Sequence, residues 1–210
     1  MASLKNLHPK AFLQANSTPD KEFYASISHD SFLDQGADKA VKTLYSTILE
    51  PHTTLLDLMA GEESHLPTEL PFSKVFGIGI NANTLNKNPQ LDKTLLIDLN
   101  TSPTLPFADE SFEAVCCCDG IAYCTNSSAL LKEVWRVLKP SCPVILSFGE
   151  RFLPAKAVAL WQALSMEDRQ RMLTLLLKQA GFTHTDEGSV HPPEDIPFWQ
   201  QSIYANIGYK

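Results

Sequence analysis

The stretch "FEAVCCCDGIAYCTNSSALLKEVWRVLKPSCPVILSF", Phe112 to Phe148, carries the periodicities on which the fold turns. "FEAVCCC" is apolar nearly throughout, and so is "PVILSF". Between them Leu130, Leu131, Val134, Trp135 and Leu138 recur at helical spacing. Asn126 or Ser127 is placed to cap the start of that helix, and Pro140 follows its end. Two continuous apolar runs joined by an amphipathic helix predict parallel strands buried on both faces, with a crossover between them.

The same grammar extends upstream. "TTLLDLM" (53–59), "KVFGIGI" (74–80) and "KTLLIDL" (93–99) are three further apolar runs. Pro67, Pro71 and Pro89 interrupt the segments between them, so any helices there are brief. Before them, "GADKAVKTLYSTIL" places Ala37, Val41, Leu44, Tyr45 and Ile48 on one helical face, and Pro51 stops it. Downstream, "KAVALWQAL" and "MEDRQRMLTLLLKQAG" read as helices, the second ended by Gly181. "FTHTDEGSV" and "SIYANIGYK" then follow as strands with no helix between them. The expected fold is α/β, doubly wound and Rossmann-like: a mostly parallel seven-stranded sheet with an antiparallel C-terminal strand hairpin. Residues 1–210 are expected to form one domain, with an N-terminal arm or lid (1–35), a ligand-binding core (36–150) and C-terminal helices and hairpin (151–210).

Composition narrows the function. The chain has 210 residues, 17 basic against 24 acidic, and no basic cluster. Nucleic-acid binders draw most of their affinity from phosphate contacts, so this balance points away from them. No apolar run is long enough to span a membrane, and the N-terminus lacks a secretory apolar core, so the expected location is cytoplasmic. The five cysteines, Cys116, Cys117, Cys118, Cys124 and Cys142, show no zinc spacing and read as reduced thiols packed in a core, with no metal ligands expected. The remaining partners are small molecules or proteins. The sequence does not specify an oligomeric state.

In open α/β sheets, ligands bind beyond the carboxyl ends of the strands where strand order reverses. The loop after the first strand, "DLMAGEESHLP" (57–67), is therefore the candidate. A helix beginning soon after Gly61 would offer free N–H groups to an anion. Gly61 allows close backbone approach, and Ala60 nearly so. Glu62 and Glu63 would repel a pyrophosphate, so the expected ligand has a single carboxylate and a cationic centre. The Gly-x-Gly-x-x-Gly fingerprint of nicotinamide-dependent enzymes is absent.

Over roughly Thr53 to Phe148 the chain resembles a class I S-adenosylmethionine-dependent methyltransferase of the type 11-like group. "LPFADESFEAV" (105–115) and "LKEVWRVLKPSCPVILSF" (131–148) carry the most specific likeness, with Ser141 and Cys142 where the family has two glycines. The glycine motif is degenerate: Asp57 and Gly61 are kept, while Met59 and Glu63 replace the outer glycines. In "VFGIGIN", Gly79 stands where the ribose-binding acid belongs, with Asn81 two residues on as a substitute carbonyl acceptor. "LLIDLN" supplies Asp98 near the adenine, followed by Leu99 and Asn100.

The resemblance implies S-adenosyl-L-methionine as cofactor and methyl transfer to a small-molecule acceptor by in-line displacement at the sulfonium methyl. It assigns Asp57, Met59, Ala60, Gly61, Gly79, Asn81, Asp98, Leu99, Asn100, Cys118 (through its backbone carbonyl) and Tyr24 to the cofactor. A methyltransferase-like binding or scaffold protein without catalysis is the alternative. Methyl transfer does not oblige a catalytic residue. The candidates are Asp119, which otherwise caps a helix; Tyr123, which otherwise packs; and His29, which otherwise is idle on the surface. Tyr24, with Phe23, either closes over the cofactor or anchors the arm. His65 reaches the cofactor or acceptor, or sits on a helix surface.

Overall fold

The computed structural model describes residues 9–25 and 32–210. Five apolar runs become parallel strands: β1 (Thr54–Leu58), β2 (Lys74–Gly79), β3 (Lys93–Leu96), β4 (Ala114–Cys118) and β5 (Pro143–Phe148). Two more, β6 (His184–Val190) and β7 (Ile203–Tyr209), form an antiparallel hairpin, and β7 also pairs antiparallel with β5. The seven-stranded order is β3-β2-β1-β4-β5-β7-β6. Strand order reverses between β1 and β4, where Asp57 lies level with Cys116. The carboxyl ends of those two strands therefore open side by side.

Helices cover both faces because adjacent strand residues point to opposite sides. On one face α4 (Ser127–Val137) and α6 (Met166–Ala180) pack Val134, Leu173 and Leu177 over Leu56, Val115 and Leu146. On the other, α2 (Gln35–Ile48) packs Ala37, Val41 and Tyr45 over Leu55, Ile145 and Ile207. Cys116 faces α2 and Cys117 faces α4, so the consecutive cysteines divide between the two cores, and all five thiols are free. The helix ends follow local chemistry. Asp34 caps α2 by accepting the Ala37 N–H, Asn126 caps α4 through Ala129, and Ser165 caps α6 through Asp168. Gly181 closes α6 at φ 116°, a left-handed turn suited to glycine. Three short helices complete the set: α1 (Asp20–Ala25), α3 (Ala82–Lys87) and α5 (Ala159–Ala163).

The segments around β4 are bound by one side chain. The Arg136 guanidinium donates to the backbone carbonyls of Phe107 (2.8 Å) and Leu105 (3.0 Å) and to the carboxylates of Asp109 and Glu133. Glu133 in turn accepts the Leu105 N–H at 3.0 Å. "LPFADESF" and "EVWRV" are thus two halves of one clasp.

Two expectations fail. β3 is not buried on both faces: it is the terminal strand, and Leu96 is 51% exposed. No helix follows Gly61, and residues 59–73 run as an irregular loop. Side chains from the α3 segment satisfy its backbone instead. Asn88 donates to the Gly61 carbonyl (3.1 Å) and Gln90 to that of Leu66 (2.8 Å), while Lys87 pairs with Glu62 (2.9 Å). Pro67 and Pro71 then keep the chain from turning helical.

Candidate functional site

A crevice of about 390 Å³ opens at the strand-order reversal. Its floor is built from β1 and β4. Asp57, near the end of β1, is 4% exposed, and its Oδ2 has no hydrogen-bond partner. Asp119, just past β4, receives one N–H from Gly149 at 2.8 Å. Burial pushes both carboxyls up, Asp57 to about 7 and Asp119 to about 6, and for both the His65 ring partly opposes that shift. The Ser64 hydroxyl beside Asp57 and the Gly149 amide beside Asp119 act in the same opposing direction.

The backbone here is unusual for its sequence. Met59 (φ 56°), His65 (φ 53°) and Asp119 (φ 56°) adopt left-handed conformations and all line the crevice. Met59 therefore keeps a backbone shape that a glycine would take without strain. Room for its side chain comes from Gly120, where a Cβ would lie 2.8 Å from the Met59 Cβ and 2.9 Å from its sulfur. Gly79 is required for a similar reason. The loop after β1 folds onto the end of β2, with the Ala60 N–H bonded to the Ile78 carbonyl at 2.7 Å. A Cβ on residue 79 would stand 2.7 Å from the Ala60 carbonyl oxygen. No acidic side chain fits there.

Each residue that the sequence assigns to the cofactor lines this one crevice, and so do Asp119 and Tyr123. Their polar groups are not all free. The Asn81 carbonyl, expected to accept from a ribose, instead caps α3 by accepting the N–H groups of Asn83 and Thr84, and its amide donates to the Tyr24 carbonyl. Asp98 accepts the N–H groups of Asn100 and Thr101 and the Thr101 hydroxyl. Asn100 bridges Asp20, the Tyr123 carbonyl and Thr125. The Tyr123 hydroxyl accepts the Leu153 N–H. Asp119 does not cap the short helical turn that follows it. His29 lies outside the described residues.

The mouth is crossed by the N-terminal strap. Lys156, wholly buried, pairs with Asp20 at 2.6 Å and lies 4.9 Å from the centre of the Phe23 ring. Tyr24 and Phe32 line the opening, and burial raises the Tyr24 hydroxyl well above its ordinary range. Neither Asp20 nor Lys156 was singled out by sequence, because their partners lie far away along the chain. His65, read from sequence as either reaching the cofactor or acceptor or sitting on a helix surface, is on no helix: it lines the crevice from the irregular loop, with Nδ1 2.7 Å from Asp38. With Glu63 these two bring three ligating atoms within 4.8 Å of one another.

Residues 58–146 match the family model described as a methyltransferase domain. Over those residues the chain is similar to a methyltransferase domain. Solved structures agree on the fold. An S-adenosylmethionine-dependent methyltransferase from Aquifex aeolicus is 16% identical, with TM-score 0.58, covering 91% of this chain and 98% of its own. The complex between the Trm112 methyltransferase activator and a methyltransferase of Haloferax volcanii contains a chain 16% identical, TM-score 0.58, covering 85% and 99%. The cyclase SpnF, 12% identical with TM-score 0.58, covers 87% and 85%. At these identities the likeness is one of fold. No curated protein matches the chain.

S-adenosylmethionine is the cofactor that the likeness to a methyltransferase domain implies, and the crevice has features that suit it. Asp57 holds an unsatisfied buried oxygen where an ammonium would be neutralised. A Cβ at Gly61 would meet nothing closer than 4.0 Å, so the loop leaves space for a ligand to lie against its backbone. The volume is within the range of small-molecule sites.

Proposed function

We propose that this protein transfers the methyl group of S-adenosylmethionine to a small-molecule acceptor. The observation that carries this reading is the gathering of the cofactor-assigned residues, from four separate segments and the N-terminal strap, around one crevice at the strand-order reversal. When bound, the cofactor supplies an activated methyl on a sulfonium. In this reading Asp57 and the Cys118 carbonyl receive the ammonium, and Met59, Ala60 and Gly61 lie along the methionine portion. Gly79 and Asn81 border the ribose; Asp98, Leu99 and Asn100 border the adenine. Tyr24 and the strap exclude water from above, which favours in-line displacement between reactants held in register.

Asp119 and Tyr123 face the acceptor side in this reading. Asp119 supplies negative charge beside the reacting atoms, and Tyr123 shapes the wall. The acceptor's nucleophile needs no base where it carries a lone pair. The small volume and the paucity of basic side chains at the crevice favour a small acceptor over a nucleic acid. A cytoplasmic setting, in keeping with the free thiols, belongs to the same proposal. Among the described residues no helix is long and apolar enough to cross a membrane.

A non-catalytic binding protein is the second reading. Gly79 and the committed Asn81 carbonyl favour it, because together they leave no side-chain acceptor for the ribose hydroxyls at this strand end. Titration calorimetry with S-adenosylmethionine and NADH, followed by incubation of the protein with methyl-labelled cofactor and a cell extract, separates the readings. Uptake of the first ligand and label in the fraction of small metabolites are expected. Label in protein or RNA would remove the small-molecule acceptor, and binding without transfer would favour the non-catalytic reading.

A further inference from the structure

Among the described residues that line the crevice, His65 is the one imidazole, and no Lys or Arg joins it. Its side chain is 12% exposed, and its backbone is left-handed at φ 53°. A residue other than glycine keeps that shape where its surroundings fix it. Gln90 holds the chain on both sides of the ring. Its carbonyl accepts the Ser64 N–H (3.3 Å) and the Leu66 N–H (3.4 Å), and its amide donates to the Leu66 carbonyl (2.8 Å). Asn88 donates to the Ser64 hydroxyl at 2.9 Å. A clamped loop thus presents one imidazole to the cavity.

The ring is also oriented. Asp38, in the first turn of α2, meets Nδ1 at 2.7 Å. Burial raises the Asp38 carboxyl, but hydrogen bonds from His65 and Lys42 outweigh it and hold the group below its ordinary range. An ionised carboxylate can only accept, so Nδ1 carries the proton and Nε2 keeps the lone pair. With Nδ1 occupied, Nε2 is the nitrogen left to face the crevice. The other charged groups around the ring are Lys42 on α2, Glu63 on its own loop, Asp57 near the end of β1 and Asp119 past β4. Lys42 already supplies Asp38 with a cation at 2.6 Å, which favours an acid–base pair here over a metal site.

We infer that His65, positioned by Asp38, is the general base of the methyl transfer, and that the acceptor's nucleophile is a neutral hydroxyl. This deepens the methyltransferase reading and rests on it. A neutral amine attacks with its free lone pair and gains little from a base. An ammonium has no lone pair whose attack a base could assist. A carboxylate-lined crevice without Lys or Arg has nothing to hold a preformed phenolate or alkoxide. A hydroxyl enters uncharged and is a poor nucleophile until its proton leaves, so a base that takes the proton as the new bond forms lowers the barrier. The hydroxyl oxygen bonds to the methyl carbon, the carbon–sulfur bond breaks with its electron pair left on sulfur, and Nε2 receives the proton. Asp38 then faces an imidazolium, which passes the proton to solvent.

The test uses the full chain, cofactor labelled with carbon-13 in the methyl group, and the small-metabolite fraction of a cell extract. NMR of the product should show an O-methyl carbon. At pH 7 and saturating cofactor, His65→Gln should transfer about 100-fold more slowly than wild type. The deficit should shrink toward pH 9, where hydroxide and the acceptor's own ionisation replace the base. Lys42, Glu63, Asp57 and Asp119 are common to both proteins, so the ratio of rates isolates the ring. His65→Ala should regain activity with added imidazole. Asp38→Asn keeps an oxygen for Nδ1 but loses the charge, and should slow transfer about tenfold. By titration calorimetry, His65→Gln and Asp38→Asn should bind S-adenosylhomocysteine within about threefold of wild type. An N-methyl or S-methyl product, a His65→Gln variant as fast as wild type, or a deficit that neither pH nor imidazole moves overturns the inference. A parallel loss of S-adenosylhomocysteine affinity assigns His65 to the cofactor and overturns it as well. Absence of any methylated product with the wild type sinks the methyltransferase reading instead.

Discussion

The mouth and the floor of the crevice both bury carboxylates, and they treat them in opposite ways. At the mouth Asp20 meets Lys156 at 2.6 Å, and Gln14, Asn100 and the Phe23 ring complete its surroundings. At the floor Asp57 keeps an oxygen with no partner, and Asp119 makes one contact to an amide. A buried charge held against a buried cation fixes the strap to the body. A buried charge left unmatched is a cost to the fold that a ligand can remove. In the proposed reading the contrast separates a structural carboxylate from a ligand-binding one within a single cavity.

The sharpest way to break the comparison is to remove the mouth's cation. Lys156→Met leaves Asp20 buried without its counter-charge and should cost about 3–5 kcal/mol, seen as a fall in Tm of about 10 °C or more by calorimetry. Adding Asp20→Asn should restore much of the loss; a single variant as stable as wild type would show the pair to be idle.

The floor should respond with the opposite sign. The Asp57 carboxyl is held at about 7 in the fold, against about 3.9 in an unfolded chain. Between those values the native state keeps a proton that the unfolded state has released, so stability declines as pH rises through that window and stays reduced above it. Asp57→Asn removes this penalty. It should raise Tm at pH 8 by several degrees and by much less at pH 4, while weakening S-adenosylmethionine binding by about tenfold or more. Loss of both stability and affinity would assign Asp57 to structure alone.

Two smaller effects sharpen the boundary between scaffold and site. Gly61→Ala adds a methyl group into open space, so Tm should move by no more than about 2 °C, while cofactor affinity falls by about tenfold as the ligand's approach to the loop is blocked. Asn81→Ala removes the cap of α3 and should cost about 1 kcal/mol, or about 2–4 °C in Tm. Its effect on cofactor affinity should stay under about threefold, because its carbonyl already serves Asn83 and Thr84.

The strand and helix pattern from Phe112 to Phe148 was legible because its signals are local: apolar runs, helical spacing, caps and prolines. The most specific pair of motifs, Leu105–Val115 and Glu133–Pro140, turned out to mark the Arg136 clasp rather than the crevice. The lining of the crevice was legible by position, and the hydrogen bonding of its residues was less so. Asn81 was readable as a crevice residue, yet not as a helix cap. Met59 and Ser141 read as lost glycines, yet both keep left-handed backbone, at φ 56° and 64°. The compensating Gly120 lies on another strand's loop, out of reach of any reading of the motif alone.

The sequence by itself determined the parallel sheet, its C-terminal hairpin and the strand edge at which the crevice opens, because periodicity and turn residues act over a few neighbouring positions. Only the tertiary structure decided that no helix follows Gly61, that residue 79 has no space for an acid, and which buried carboxylates have counter-charges. Those outcomes depend on groups brought together from distant parts of the chain, and neither their distances nor their desolvation is written in local spacing.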